Sequence, residues 1–101
     1  MKIQMHSLKF DADDKLLDFI QKKLDKLDTF YDRVIDAEVY LRLNNEGFDN
    51  KTVEVKLNIP GSQLFTKEDS KSFEEATDLA VKSLTRQLKK HKEKQKTHKI
   101  A

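Results

Sequence analysis

The stretch VIDAEVYLRLNNEGFDNKTVEVKLNI, residues 34–59, alternates twice. In its first part Ile35, Ala37, Val39, Leu41 and Leu43 are separated by Asp36, Glu38, Tyr40 and Arg42. In its second part Val53, Val55, Leu57 and Ile59 alternate with Thr52, Glu54, Lys56 and Asn58. A period of two with charges between means strands with one buried and one wet face. The segment NNEGFDN between them reads as an ordinary loop with Phe48 packed down. Pro60-Gly61 marks a turn, and SQLFTKE, residues 62–68, reads as a further strand with Leu64 and Thr66 pointing inward.

Outward from this centre the period changes. In DADDKLLDFIQKKLDKLDTFY, Leu16, Ile20, Leu24, Leu27 and Tyr31 recur at spacings of three and four, the stripe of an amphipathic helix. Asp13 is the expected N-cap and Asp14 suits the positive end of the dipole, so a helix is predicted over about 14–28. Before it, KIQMHSL alternates Ile3 and Met5 with Gln4 and His6 and reads as a short strand. After the sheet, Ser72-x-x-Glu75 has the form of a capping box. Phe73, Ala76, Ala80, Leu84 and Leu88 then trace a second stripe, with Val81 on its flank. This helix is expected to reach about residue 92 and fray beyond it.

The order β-α-β-β-β-α, with one apolar face per strand and one stripe per helix, predicts an α+β fold. Two helices pack side by side on one face of a four-stranded sheet, β1 runs parallel to β2 if the two are adjacent, and the remaining pairs are antiparallel hairpins. With 101 residues the chain fits a single domain, residues 1–101, with a basic tail at about 93–101. One Pro and two Gly imply long regular elements with few sharp turns. Without cysteine there is neither a disulfide framework nor a thiolate metal site. No apolar run is long enough to span a membrane, and MKIQMHSLKF lacks the apolar core of a signal peptide. A cytoplasmic location without a membrane partner is expected.

The net charge of +2 conceals an asymmetry. From Lys82 to Lys99 eight basic residues face only Glu93, a local charge of +7, which leaves −5 on the rest of the chain. At about 100° per residue, Lys82, Arg86, Lys89, Glu93 and Lys96 fall opposite the apolar stripe of the second helix, with Lys90 nearer one flank. On the first helix Lys15, Lys22 and Lys26 also point outward, mixed with Asp18 and Asp25, while Lys23 lies at the edge of the stripe. Lysines near a helix C-terminus also complement the dipole and aid solubility. The length and uniformity of this run, set against an acidic remainder, favour a phosphate-binding ridge. Lysines meet phosphates as point charges, so such binding is mostly blind to base sequence.

Catalysis finds no footing. His6, His91 and His98 have no nucleophile at a meaningful spacing, and no metalloprotease or hydrolase motif occurs. Asp11, Asp13 and Asp14 are explained by helix capping, and NNEGFDN fails the calcium-loop pattern. No cofactor, metal or enzymatic activity is expected. The open face of the sheet offers Tyr40, His6 and Phe65 as base-stacking platforms, but Glu38 and Glu54 there would repel phosphate.

Two blocks carry a family resemblance. In KKLDKLDTFYDRVIDAEVYLRL, residues 22–43, a Lys-Leu segment and Phe-Tyr-Asp-Arg lead into a hydrophobic strand. In SFEEATDLAVKSLTRQLKKHKEKQK, residues 72–96, the pattern D-x-x-x-x-x-L-x-R-Q-L-x-K-x-K-x-K stands as in the family. The chain resembles the ribosome hibernation-promoting factor family, also called ribosome-associated inhibitors or sigma-54 modulation proteins, in its short form. The resemblance implies a β-α-β-β-β-α fold similar to double-stranded-RNA-binding domains. It also implies binding to the small ribosomal subunit (16S rRNA) and the 70S ribosome, in the channel of messenger and transfer RNA between head and body. Translation would be blocked by occupancy, and ribosomes kept idle in starvation or stationary phase. Contact with rRNA is carried over to Lys23, Lys26 and Arg33 in the first block and to Arg86, Lys89, Lys90, Lys92 and Lys94 in the second. Lys82 joins them from the charge ridge. Asp32 and Asp78 are assigned local roles, such as pairing with a nearby cation. A short form would need a separate factor to pair ribosomes into dimers. The competing readings are a general double-stranded-RNA binder and an adaptor docking its basic helix on an acidic protein.

Overall fold

The computed structural model describes residues 1–44 and 47–100, with side chains described through Lys94. Six elements follow one another: β1 (Lys2–Leu8), α1 (Asp14–Phe30), β2 (Asp36–Leu43), β3 (Lys51–Ile59), β4 (Ser62–Ser70) and α2 (Phe73–Ile100). The strands lie in the order β1-β2-β3-β4. β1 pairs parallel with β2, and both other pairs are antiparallel. The predicted fold class is the observed one.

Alternation determines the register. Met5, Val39, Val55 and Thr66 stand side by side across the four strands on the covered face. Ala37, Val39, Leu41, Val53, Val55, Leu57 and Ile59 are buried there. Ile20, Leu24, Leu27 and Tyr31 close the core from α1, and Phe73, Ala76, Ala80, Leu84 and Leu88 close it from α2. Each fully buried aliphatic side chain contributes about 1.5–3 kcal/mol. The small Ala76 and Ala80 let the start of α2 lie close to its neighbours.

The helix starts are capped locally. The Asp13 carboxylate accepts from the Leu16 N–H at 2.8 Å. The Ser72 hydroxyl accepts from the Glu75 N–H at 3.1 Å. The Glu75 carboxylate accepts from the Ser70 hydroxyl at 2.8 Å, so the side chain ties the helix start to the end of β4.

Several expectations are corrected. α2 continues to Ile100 instead of fraying after residue 92. Its Lys, Glu and Gln residues are good helix formers, and no Gly or Pro interrupts them. The expected outward placement of Lys96 lies outside the described residues. Phe48 is 92% exposed, not packed down. The Asn44 N–H closes the neck of the β2–β3 hairpin on the Asn50 carbonyl at 2.7 Å. Ile35 and Leu43, at the two ends of the first alternating run, are also exposed. Thr52, expected on the wet face, is fully buried. Its hydroxyl donates to the Asp69 carboxylate and accepts from the Asn44 amide at 2.7 Å, so polar neighbours cover it.

The open face is laced with paired polar groups. His6 stacks on Tyr40 at 4.7 Å, the Tyr40 hydroxyl donates to Glu38 at 2.6 Å, and Arg42 pairs with Glu54 at 3.4 Å. The bond to Glu38 raises the Tyr40 pKa above its ordinary value.

At the sheet edge, the Met1 ammonium donates to Asp28 at 2.6 Å and to Asp25 at 2.9 Å, which clamps β1 to α1. These bonds, led by Asp28, raise the amine's pKa above 8.0. The clamp's contribution is therefore complete below about pH 8 and fades as pH climbs through the folded-state value. Denaturation series from pH 7 to 10 are expected to show a loss of stability that Asp28→Asn largely abolishes. An unchanged slope in that variant would place the effect elsewhere.

Candidate nucleic-acid interface

α1 ends where Tyr31 turns inward. Its N–H still reaches the Leu27 carbonyl at 2.8 Å, while its extended backbone takes the chain out of the helix. The last turn of α1 holds no basic residue to meet the exposed carbonyls. Lys92, from the other helix, does so instead: its ammonium donates to the Phe30 carbonyl at 3.2 Å and lies 4.7 Å from the centre of the Phe30 ring. A cation at this negative dipole end is favourable by about 0.3–1 kcal/mol.

Between this turn and α2 runs an open groove of about 990 Å³. Arg33 and Asp32 line it from the turn, Thr29, Phe30 and Tyr31 from the end of α1, and Thr85, Arg86, Lys89, Lys92 and Glu93 from α2. Four cations against two carboxylates give it a positive balance. Its floor is more apolar than its rim. Tyr31 is 5% exposed, and the His91 ring meets it edge-on at 5.9 Å. Among the described residues, neither the Tyr31 hydroxyl nor His91 Nε2 finds a hydrogen-bond partner.

The helical register sorts the cations that sequence reasoning had grouped. Asp78 pairs with Lys23 at 3.2 Å, so this side of α2 faces α1, and Asp78 has the local role expected of it. Gln87 donates to the Phe65 carbonyl at 2.9 Å, so the opposite flank faces β4. Turning about 100° per residue from these two anchors, Lys89 and Lys92 fall toward α1 and Lys90 and Lys94 toward the β4 side. Arg33, Arg86, Lys89 and Lys92 thus converge on the groove. Lys82, Lys90 and Lys94 are exposed but lie outside it, as does Lys26. Lys23 is held by Asp78, with its ammonium 5.3 Å from the Phe19 ring centre.

Sequence reasoning placed His91 in the basic tail. The structure makes it the next step of the apolar stripe after Leu84 and Leu88. The three-residue spacing from Leu88 was the available signal. Phe30 and Tyr31 as groove walls had no such signal, because the groove exists only once the two helices are side by side.

The architecture is that of a small α+β domain with a cationic groove between the end of α1 and the flank of α2. The chain belongs to the sigma 54 modulation protein / S30EA ribosomal protein family, whose sequence pattern matches residues 3–96. It is 27% identical over 95 residues to the ribosome hibernation promoting factor of Azotobacter vinelandii, covering 94% of this chain and 86% of that protein. With the factor of the same name from Pseudomonas putida it shares 29% over 97 residues, 96% of this chain and 92% of the relative. Among solved structures, a ribosomal subunit interface protein from Coxiella burnetii superposes with a TM-score of 0.82 at 26% identity, over 91% of this chain and 98% of that one. The N-terminal domain of Thermus thermophilus Protein Y gives 0.79 at 27% identity, over 90% and 99%.

The unpaired Tyr31 hydroxyl makes a test of the floor. A buried hydroxyl without a partner costs free energy that its removal returns. Tyr31→Phe is expected to leave stability unchanged or raise it by up to about 1 kcal/mol, whereas Tyr31→Ala should lose about 3–5 kcal/mol through the cavity it opens. Urea denaturation of both variants reads the two effects, and a large loss in Tyr31→Phe would show that the hydroxyl is bonded in solution.

Proposed function

We propose that this chain binds the small ribosomal subunit through the groove between α1 and α2, occupying the messenger and transfer RNA channel and holding the ribosome idle. Family membership and relatives named ribosome hibernation promoting factor support a ribosome-associated role in the cytoplasm. The observation that carries the finer reading is the convergence of Arg33, Arg86, Lys89 and Lys92 on one groove. Residues far apart in sequence are brought to one place, which charge balance alone does not require.

The mechanism needs no bond chemistry. The cations neutralise rRNA phosphates and release condensed counterions, and the seated domain excludes messenger and transfer RNA by volume. Arg33 and Arg86 can grip phosphate oxygens with two donors each, while Lys89 and Lys92 act as point charges. Lys82, Lys90, Lys94, Lys23 and Lys26 extend the positive field around the groove and contribute more to steering than to seating.

Co-sedimentation with ribosomes tests the reading. Paired reversal of Arg86 and Lys89 to Glu is expected to weaken binding by at least about 100-fold, and translation inhibition should fall with it. The same charge change at Lys82 and Lys90, outside the groove, should cost far less. If four phosphates are met, the logarithm of affinity should fall by roughly 3 per tenfold rise in salt. Equal losses from the two pairs, or a flat salt response, would overturn the groove assignment. Equal affinity for any RNA duplex would make the chain a general duplex binder.

A further inference from the structure

We infer that the groove takes an unpaired nucleotide, its base laid against Phe30 and its phosphates on Arg33, Arg86 and Lys89, and not the backbone of a duplex alone. This inference rests on the ribosomal-RNA reading of the same groove and names the form of RNA it holds.

A site that met only phosphates would need cations on an otherwise indifferent wall. This groove has a flat aromatic wall at its centre. Phe30 is 36% exposed although it ends a helix whose other large apolar residues are turned inward. Its ring lies among the cations, and Tyr31 forms the floor beside it. A duplex keeps its bases stacked on one another, so it has no use for such a ring. A nucleotide outside a helix has one free π-face, and proteins meet it by stacking.

Lys92 shows how the ring is kept in the free protein. Its ammonium covers the Phe30 ring and caps the Phe30 carbonyl from a flexible stem. An exposed cation–π contact is worth about two- to five-fold in an equilibrium constant. Stacking of a base on an aromatic side chain is worth about 5- to 150-fold. The exchange is therefore favourable: Lys92 swings from the ring to an incoming phosphate, and the base takes the ring face. The Tyr31 hydroxyl adds a second reason. Tyr31 lines the groove beside Phe30, and its buried hydroxyl has no partner among the described residues, which calls for an explanation. A base edge seated on Phe30 is the partner proposed for it.

The test uses the full chain and short RNA probes followed by fluorescence anisotropy: pentauridylate, an abasic ribose-phosphate oligomer of equal length, and a ten-base-pair duplex. Pentauridylate is expected to bind about 10-fold tighter than the abasic oligomer. Phe30→Leu should abolish that difference, so that the two oligomers bind the variant equally. Tyr31→Phe, which should fold at least as well as the parent, should reduce the ratio of pentauridylate to abasic affinity, and an unchanged ratio would remove the hydroxyl from the base contact. Equal affinity for pentauridylate and the abasic oligomer, or an undiminished preference in Phe30→Leu, would overturn the inference. So would a duplex that binds as tightly as pentauridylate. Ribosome co-sedimentation of the parent chain separates the two levels. Its loss with the base preference intact defeats the ribosomal reading, and its persistence without that preference defeats this inference alone.

Discussion

The seating of α2 on the sheet and on α1 determines where every cation points. One line of residues does it: Phe73, Ala76, Ala80, Leu84 and Leu88 are buried, and His91 follows them onto the Tyr31 ring. A helix held by one stripe has no rotational freedom left, because turning it by one residue would put Lys89 or Lys90 into the core. Burying an unpaired ammonium costs several kcal/mol. The hydrophobic effect therefore sets the electrostatics. Arg86 and Lys89 face the groove because Leu84 and Leu88 face away from it.

The same stripe explains why the groove forms at that end of the molecule. Near the start of α2, alanines allow close approach, and Asp78 meets Lys23 directly across the helix pair. Farther along, Tyr31 and His91 fill the space with rings in place of alanines, and α1 has already ended at Phe30. The helices are left without a facing partner at the level of Arg33, Arg86 and Lys92, and an open trough results. Lys92 turns this geometry to use by capping α1 from α2, so that helix termination and cation placement share one side chain.

Much of this was legible in the sequence, for physical reasons that can be named. The period-two segments around Val39 and Val55 and the three-four stripes through Ile20 and Leu84 are properties of single elements, and burial follows from them directly. The element order and the sheet's one-sided cover came from counting faces. Phe48 does not follow the expectation that an aromatic residue in a loop has core beneath it: between β2 and β3 it is exposed. Thr52 was misread because burial by polar neighbours leaves no alternation signal. The groove itself was only half legible. Charge on α2 could be read as a ridge, but the division of that ridge into Lys89 and Lys92 on one flank and Lys90 and Lys94 on the other depends on which side meets α1. The Lys23–Asp78, Gln87–Phe65 and Lys92–Phe30 contacts decide that.

The distribution of charge along the molecule differs from what its nearly neutral total suggests. Its longest dimension is 50 Å. Where the helices begin, Asp11, Asp13 and Glu74 stand with Lys15, while the cations of the groove stand where α1 stops. At physiological salt, charges separated by more than about 8 Å are largely screened from one another. The field in the groove is therefore set by Arg33, Arg86, Lys89 and Lys92 with Asp32 and Glu93, not by the net charge of +2. The short-range contacts of the groove, not the balance of the whole chain, therefore set the field that the two helices present there.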